Sequence, residues 1–317
     1  MEKIIITGAT SMVGVALIKA ALQDISVKKI YAVVRPGTEK TERIPVDPRV
    51  TVTACDISNY ENLSEIISDT CDVFYHLAWP RTATYEETCE DILLKCENIG
   101  IVIKAVQAAA ALGCTKFVGA GSQSEYGISH VGKLSPEIAC KPVRADGIIH
   151  LAAGELAQIL CKKSGMSCIW MRIFSIYGKY DRPNSLISST IARLKKGEHC
   201  SFTLSEQIWD FLAAEDAGRA FYLVGKKVKG NRIYCLGSGE EKPLREYIET
   251  IRDIVSPNVK LGFGEIPYPA DPVMYLCADI TALQQGAGWS PMIEFEQGIR
   301  MICEDMDLPK DKKEWRD

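Results

Sequence analysis

The chain has 317 residues, of which 47% are hydrophobic and 25% charged, a composition typical of a globular protein with a full core. Because its net charge is −4 and its pI is near 5.7, we expect no nucleic-acid partner. The sequence shows no apolar segment of membrane-spanning length and no basic leader, so we also expect a cytoplasmic protein without a membrane partner. Its 12 cysteines are scattered without a C-x-x-C pair and its 4 histidines lack ligand spacing, so we expect reduced thiols and no metal site.

The first predicted elements are a buried strand at 4–6 and a helix from Val13, joined by a tight turn. Gly8 would permit the turn, and Gly14 would let the helix pack closely on the sheet. Free N–H groups and the positive end of the helix dipole suit a dinucleotide pyrophosphate there. Ser11 stands where a glycine usually lets the backbone approach the phosphates, and its side chain narrows that approach. An ordinary β–α turn is the alternative. The predicted contacts of this turn with a cofactor are Thr7, Gly8, Thr10, Ser11, Met12, Val13 and Gly14.

Strands and helices then alternate along the chain. Strands are predicted at 29–34, 50–57, 71–78, 116–120 and 167–172, and helices at 63–67 and 89–112. The alternation predicts an α/β fold with a doubly wound parallel Rossmann sheet. Ligands of such sheets bind beyond the carboxyl ends of the strands, so we expect 76–78 and 121–127 to line the crevice.

The end of the second strand indicates the form of the cofactor. An acidic residue at that position accepts from a free ribose 2′-hydroxyl, whereas arginine pairs with a 2′-phosphate. Arg35 therefore favours NADP(H) over NAD(H), although a surface arginine at a loop entrance is the alternative. The remaining predicted cofactor contacts follow the third and fourth strands and are Asp56, Ile57, Leu77 and Ala78.

Several motifs together resemble those of one family. They are the Thr7-Gly8-Ala9 start, Asp56-Ile57, His76-Leu77-Ala78, Asn98, the block 122–127, the segment 172–178, Asp210-Phe211-Leu212 with Asp216, Ala278-Asp279 and 288–291. On these residues the chain resembles, nearly end to end, an extended short-chain dehydrogenase/reductase of the sugar-nucleotide epimerase/dehydratase family. The resemblance implies an NAD(P)-dependent enzyme that acts on a nucleoside-diphosphate sugar through a keto intermediate. It also implies a homodimer formed through the Asn98 helix and the helix after Pro142.

The catalytic pair of that family is missing here. The resemblance places Asp146 where the family has a tyrosine proton donor and His150 where it has a lysine. Since residues four apart share one helix face, Asp146 and His150 are candidates for a proton-relaying pair, although an exposed, ordinary helix ion pair or hydrogen bond is the favoured alternative. Ser122 matches the serine that hydrogen-bonds the substrate oxygen and is the third predicted catalytic residue. The chain's Tyr-x-x-x-Lys sequence, at Tyr222 and Lys226, lies too late to be that pair, and we expect Tyr222 to face the core.

The resemblance also suggests substrate contacts. Tyr126 and Tyr177 match pocket or packing aromatics, packing being favoured, while Ser175 and Trp209 replace an asparagine and a diphosphate-binding arginine of the family. Arg182 or Lys179 is a hypothetical substitute for that arginine. The predicted substrate contacts are Trp79, Glu125, Tyr126, Ser175, Tyr177, Asn184 and Trp209.

Two lobes are predicted. Residues 1–178 would form the dinucleotide-binding domain, to which the chain returns at about 212–238, and most of 179–317 would form a smaller substrate-binding lobe that begins with an amphipathic helix at 185–196. The cleft between the lobes is the expected binding site.

The loss of both catalytic groups leaves two other functions open. The chain is either an enzyme with an atypical site or a catalytically inactive homologue that binds a nucleotide or sugar nucleotide without redox turnover. A third reading is a cofactor-independent keto-sugar epimerase, with Ser122 as oxyanion donor and His150 or Glu125 as base.

Overall fold

A computed structural model describes residues 1–80, 88–128 and 132–307. Its strands are β1 Lys3–Thr7, β2 Lys29–Val34, β3 Val50–Ala54, β4 Val73–His76, β5 Lys116–Ser122, β6 Ser167–Ile173, β7 Ser175–Tyr177, β8 Cys200–Phe202, β9 Ile208–Trp209, β10 Phe211–Ala213, β11 Arg232–Leu236, β12 Lys242–Pro243 and β13 Leu261–Phe263. Its α-helices are α1 Met12–Leu22, α2 Leu63–Ile66, α3 Cys89–Ala111, α4 Ala145–Lys163, α5 Leu186–Lys195, α6 Ala214–Lys227, α7 Leu244–Val255, α8 Thr281–Ala287 and α9 Phe295–Asp307. Short 3₁₀ helices occupy Glu39–Arg43, Ile57–Asn62 and Gln123–Tyr126.

Seven strands form one sheet in the order β11-β6-β5-β4-β1-β2-β3, and every neighbouring pair is parallel. The predicted doubly wound Rossmann sheet is therefore confirmed. Ile4, Ile5 and Ile6 of β1 are fully buried because helices cover both faces of the sheet. The strand order reverses between β1 and β4, which opens a crevice at their carboxyl ends.

Each face of this sheet carries its own core. On one face, α1, α6 and α8 pack through Leu17, Phe221 and Leu283. On the other, α3 and α4 pack through Val102 and Ala153. Apolar residues at helical spacing supply both layers, so the hydrophobic pattern alone decides which helix face turns inward.

A third core lies outside the main sheet. It joins α5, α7 and α9 to the short strand β8 through the buried residues Ile187, Ile191, Phe202, Tyr247, Ile251 and Phe295. Ser185 caps the start of α5 by accepting from the Ser188 N–H, so this helix begins where the sequence predicts. Late residues return to the first core, because Trp289 and Leu283 pack there. The exact boundary between the lobes stays a prediction, and the stretch from 308 onward lies outside the described residues.

Within the described ranges, no helix is both long and apolar enough to cross a membrane. The same ranges contain no group of three or more His, Cys, Asp or Glu side chains arranged to hold a metal ion.

Candidate active site

The turn between β1 and α1 requires two glycines. Gly8 has a φ of +68°, and a Cβ there would lie 2.8 Å from the Leu77 carbonyl carbon. A Cβ on Gly14 would lie 2.3 Å from the Gly8 oxygen. Both distances are below van der Waals contact, so the turn closes tightly on β4 and on itself only with glycine at these positions. Leu77 and Ala78 meet Gly8 through their backbone.

Ser11 replaces the missing glycine with a helix cap. Its hydroxyl accepts from the Gly14 N–H at 3.0 Å, and α1 begins at Met12, one residue before the predicted start. The N–H groups of Met12 and Val13 have no intrahelical acceptor, as at any helix N-terminus, and lie beside the half-buried Thr10. The cradle therefore fits a dinucleotide pyrophosphate, and the Ser11 side chain is occupied within the helix rather than by the phosphates.

Thr7 needs a correction as a cofactor contact. Its side chain is fully buried, and Oγ1 lies 2.9 Å from Nδ1 of the fully buried His76. Burial lowers the pKa of His76 to about 3, so this ring is neutral. Thr7 ties the ends of β1 and β4 together and presents no hydroxyl to the crevice.

The predicted ribose-binding residues lie at the ends of β2 and β3. Arg35 is exposed directly after β2. The Asp56 carboxylate accepts from the N–H and hydroxyl of Ser58, and these bonds lower its pKa, with a smaller contribution from the charge of Arg35. Ile57 packs partly on the core. The Arg35 guanidinium is therefore exposed, whereas the Asp56 carboxylate already accepts two hydrogen bonds.

Asp146 and His150 do not form the predicted pair. Both lie on α4, but Asp146 makes its ion pair with Lys95 of α3, at 3.2 Å between Nζ and Oδ1. Lys95 is only 2% exposed, whereas the Asp146 side chain is 24% exposed. The first turn of α4 lies against the turn that follows β5, because a Cβ on Gly147 would be 2.2 Å from the Ser124 oxygen. Asp146 therefore stands at the carboxyl end of the sheet.

His150 faces Trp79 instead. Their ring centroids are 3.8 Å apart, and Trp79 also packs edge-on against Trp170. His150 is 9% exposed, its Nδ1 has no hydrogen-bond partner among the described residues, and burial lowers its pKa to about 4. A neutral, covered imidazole cannot relay a proton with Asp146 near neutral pH, so the predicted relay is wrong.

Ser122 keeps a proton available for a ligand. Its Oγ accepts from the Ser124 N–H at 3.1 Å and from the Ser124 hydroxyl at 2.8 Å. Because a hydroxyl is both donor and acceptor, and Ser122 donates to no group in the described ranges, its O–H remains free to donate. Ser122 lies at the end of β5, and its role toward the substrate stays a prediction.

Glu125 and Tyr126 need a second correction, because both belong to a buried network. Glu125 is fully buried; Oε1 accepts from Trp170 Nε1 and Ser122 N, both at 2.9 Å, and Oε2 accepts from Arg172 Nε at 2.7 Å. Arg172 also donates to the Tyr126 hydroxyl at 2.9 Å, and burial raises the pKa of Tyr126. Burial alone would lower the pKa of Arg172, but the Glu125 charge outweighs it and raises that pKa. These residues hold the turn after β5 together and leave no surface for substrate.

Among the remaining predicted substrate contacts, one pair is brought together. Trp209 Nε1 donates to Ser175 Oγ at 2.8 Å, joining β9 to β7. Asn184 is exposed in the turn before α5. Tyr177 needs correction, since it is 1% exposed, packs against Phe295 and has its pKa raised by burial. Packing, the favoured alternative, describes it.

A cavity of about 320 Å³ opens in the smaller lobe between α5, β8 and α7. Apolar side chains form its floor, while Arg193, Thr203 and Gln207 supply polar groups. This mixture is typical of a small-molecule site. The sequence analysis missed this cavity because its lining comes from four separate segments, at 186–193, 200–207, 244–248 and Ile266.

Only one of the two predicted substitutes for the family's arginine is engaged in an ion pair in the described ranges. Lys179 pairs with Asp305 at 2.7 Å, whereas Arg182 is exposed. Tyr222 is 6% exposed, as expected, and it binds Asp24 together with Lys226. The only sequence signal for the buried Lys95 was a lone lysine after the apolar run 92–94.

Comparison with known proteins agrees with this architecture. The model of the NAD dependent epimerase/dehydratase family matches residues 4–237. The CDP-abequose synthase of Salmonella muenchen is 24% identical over 306 residues, which cover 95% of this chain and 97% of that protein.

Two solved structures share the fold. UDP-glucose 4-epimerase of Thermotoga maritima, determined with UDP-glucose, superposes with a TM-score of 0.84 at 17% identity and covers 96% of this chain and 98% of its own. RMD of Pseudomonas aeruginosa, complexed with NADPH, superposes with a TM-score of 0.79 at 21% identity and covers 98% of this chain and 100% of its own.

Proposed function

Since the chain belongs to the NAD dependent epimerase/dehydratase family, we propose that it binds NADP(H) in preference to NAD(H) and converts a nucleoside-diphosphate sugar by reduction, epimerisation or dehydration through a keto intermediate. The observation that carries the proposal is the β1–α1 cradle, in which Gly8 and Gly14 leave no room for a side chain and Met12 and Val13 present free N–H groups. A nicotinamide bound there would exchange hydride with the sugar.

Arg35 supports the preference for NADP(H). Its guanidinium is exposed at the end of β2, where it would meet a ribose 2′-phosphate, and Asp56 beside it already accepts two hydrogen bonds from Ser58. An engaged carboxylate is a poorer partner for a 2′-hydroxyl, and arginine is a strong partner for a phosphate.

The substrate half of the proposal rests on the crevice at the carboxyl ends of the strands and on the cavity of about 320 Å³ in the smaller lobe. Ser122 would donate to a sugar oxygen at the end of β5, and the linked Ser175 and Trp209 would line the path toward the cavity. Arg193 and Gln207 in the cavity wall would serve the nucleotide. Arg193 would replace the missing cationic contact at position 209 by exchanging its exposed ion pair with Glu198, 3.6 Å away, for the diphosphate.

The first test is a fluorescence titration with NADPH and with NADH, on the wild-type protein and on Arg35→Ala. The matched control is Arg232→Ala, because Arg232 is exposed at the amino end of β11 and bonds only its neighbour's carbonyl in the described ranges. We expect micromolar NADPH binding that Arg35→Ala weakens by roughly 10- to 100-fold, while NADH binding changes little. Binding of neither cofactor to the wild type refutes the redox proposal.

A second candidate is binding without turnover, favoured by the contact between Trp79 and His150. That contact covers the side chain at the lysine position and leaves it neutral. Screening nucleotide sugars for conversion separates the two candidates, since an inactive homologue binds but returns the sugar unchanged. The cofactor-independent epimerase gains no support, because Glu125 and His150, its two candidate bases, are both buried.

We further propose a homodimer and a cytoplasmic location. The dimer would form through α3 and α4, which expose Leu93 at 71%, Ile148 at 53% and Ile159 at 51%. The 12 free cysteines support the location, because unpaired thiols are typical of a reducing compartment.

A further inference from the structure

We propose, as an extension that rests on the function above, that Lys95 is a positioning residue which presents the Asp146 carboxylate to a hydroxyl group of the sugar. In this assignment Asp146 is the hydrogen-bond acceptor of the cleft, Lys95 replaces His150 as its partner, and the arriving group is an alcohol rather than a ketone.

Lys95 and Asp146 differ in how far their side chains are exposed. Lys95 is 2% exposed in the packing layer between α3 and α4, and Asp146, 3.2 Å away, is 24% exposed. The carboxylate is the more accessible partner, and it lies next to the residue that packs on the turn after β5. In the proposal a ligand in the crevice meets Asp146, and Lys95 acts through it.

Stability alone does not account for a lysine at this position. Removing an ammonium from water costs several kcal/mol, and a well-packed apolar side chain in its place is often as stable or more so. Its neighbours on the same helix, Ile101, Val102 and Ala105, show that α3 packs with apolar residues elsewhere. The buried charge therefore points to a role for the pair rather than to packing.

A second, independent observation lies one helical turn further along. Asn98 follows Lys95 by three residues and His150 follows Asp146 by four, so each lies one helical turn beyond its member of the ion pair. Asn98 Oδ1, His150 Nδ1 and Nε1 of Trp79, which contacts His150, are buried without hydrogen-bond partners in the described ranges. Buried polar atoms are rarely left unpaired, so these atoms mark a place where water or a ligand group completes the site.

The chemistry of the donors and acceptors selects the substrate group. An ionised carboxylate only accepts hydrogen bonds, so Asp146 pairs with an O–H and repels a keto oxygen. Ser122, on the adjoining turn, has an O–H free to donate. This acceptor and this donor match a hydroxyl group on a sugar carbon, which would donate a hydrogen bond to Asp146 and accept one from Ser122. The predicted ligand class is a nucleoside-diphosphate hexose with a free hydroxyl at the reacting carbon.

The test of Lys95 measures the dissociation constant of UDP-glucose by isothermal titration calorimetry. Lys95→Met is expected to weaken binding by about tenfold, as Asp146→Asn does, because the carboxylate is no longer held in place, and the double variant should lose no more than either single change. Lys95→Arg keeps the charge and should restore the affinity. Lys104→Met is the matched control, since Lys104 lies on the same helix and pairs with Glu61 at 2.8 Å. If Lys95→Met does not fold, Lys95→Gln takes its place.

The test of the acceptor role compares the affinities of UDP-glucose and UDP-4-keto-6-deoxyglucose as probes. Asp146→Asn adds an N–H donor, so it should lose about tenfold for UDP-glucose and keep or gain affinity for the keto sugar. Losses in Lys95→Met and Asp146→Asn that add in the double variant, or an equal loss for both sugars in Asp146→Asn, overturn the inference. Failure of the proposed function appears separately, as a wild type that binds neither NADPH nor UDP-glucose, whereas binding of NADPH without UDP-glucose overturns this inference alone.

Discussion

Replacing Glu125 by glutamine is expected to destabilise the whole fold, because this carboxylate holds a buried network rather than a reacting group. Glutamine keeps one oxygen for Trp170 Nε1 and Ser122 N. Its amide N–H₂, however, faces the Arg172 Nε–H, which in the wild type donates to Glu125 Oε2 at 2.7 Å. Arg172 is 4% exposed and would lose its counter-charge. Removing one partner of a buried ion pair costs about 3–5 kcal/mol. In a chain of this length, that loss lowers the melting temperature by roughly 5–8 °C.

The assay is urea and thermal denaturation of Glu125→Gln beside Glu296→Gln. Glu296 also pairs with an arginine, Arg300 at 2.7 Å, but both side chains are more than half exposed, so we expect a change within about 0.5 kcal/mol. In Glu125→Gln with Arg172→Met, both charges are gone, and the double variant should be more stable than the sum of the single losses by at least about 1 kcal/mol. A Glu125→Gln protein as stable as the wild type but without turnover would refute this reasoning and restore Glu125 as a base.

Three further predictions follow from the turn, the buried histidine and the exposed helix faces. Gly14→Ala places a Cβ 2.3 Å from the Gly8 oxygen, so NADPH titration should show at least a tenfold weaker affinity and denaturation a loss of about 1–3 kcal/mol. The pKa of His150, about 4 in the folded chain, lies below its ordinary value, so the unfolded chain takes the proton first and stability is lost as the pH falls from about 6.5 to 4. Over that pH range, urea denaturation should show that the free energy of unfolding of His150→Gln falls by up to about 3 kcal/mol less than that of the wild type. The same pH dependence in both proteins would contradict the burial argument. Leu93→Glu with Ile148→Glu should convert a dimer to a monomer in sedimentation velocity, whereas an unchanged sedimentation coefficient rules out this face.

Local patterns predicted most of the fold because their causes are local. The run Ile4–Ile6 predicted a strand buried on both faces, and Gly8 and Gly14 predicted a tight turn followed by a closely packed helix; the structure shows both. Ser185 marked the start of α5 through its own cap. Hydrophobic period, turn residues and caps act over a few residues, so a sequence displays them directly.

The chemistry of the site depended on contacts between distant segments. Helix spacing correctly put Asp146 and His150 on one helix, but it could not show that α3 brings Lys95 to Asp146 or that β4 brings Trp79 to His150. The sequence likewise predicted Glu125 as a polar residue lining the crevice. In the structure Trp170 and Arg172 of β6 bind its carboxylate, and the side chain is buried.

The sequence by itself therefore determined the parallel sheet, its cofactor turn and the family motifs, since these follow from residue types at short separations. Only the tertiary structure decided which polar groups are buried, which are paired and which face the cleft. Burial and pairing are set by the packing of α3 on α4 and of β5 on β6, and residues that meet there are far apart in the chain. That packing moved the partner of Asp146 from His150 to Lys95.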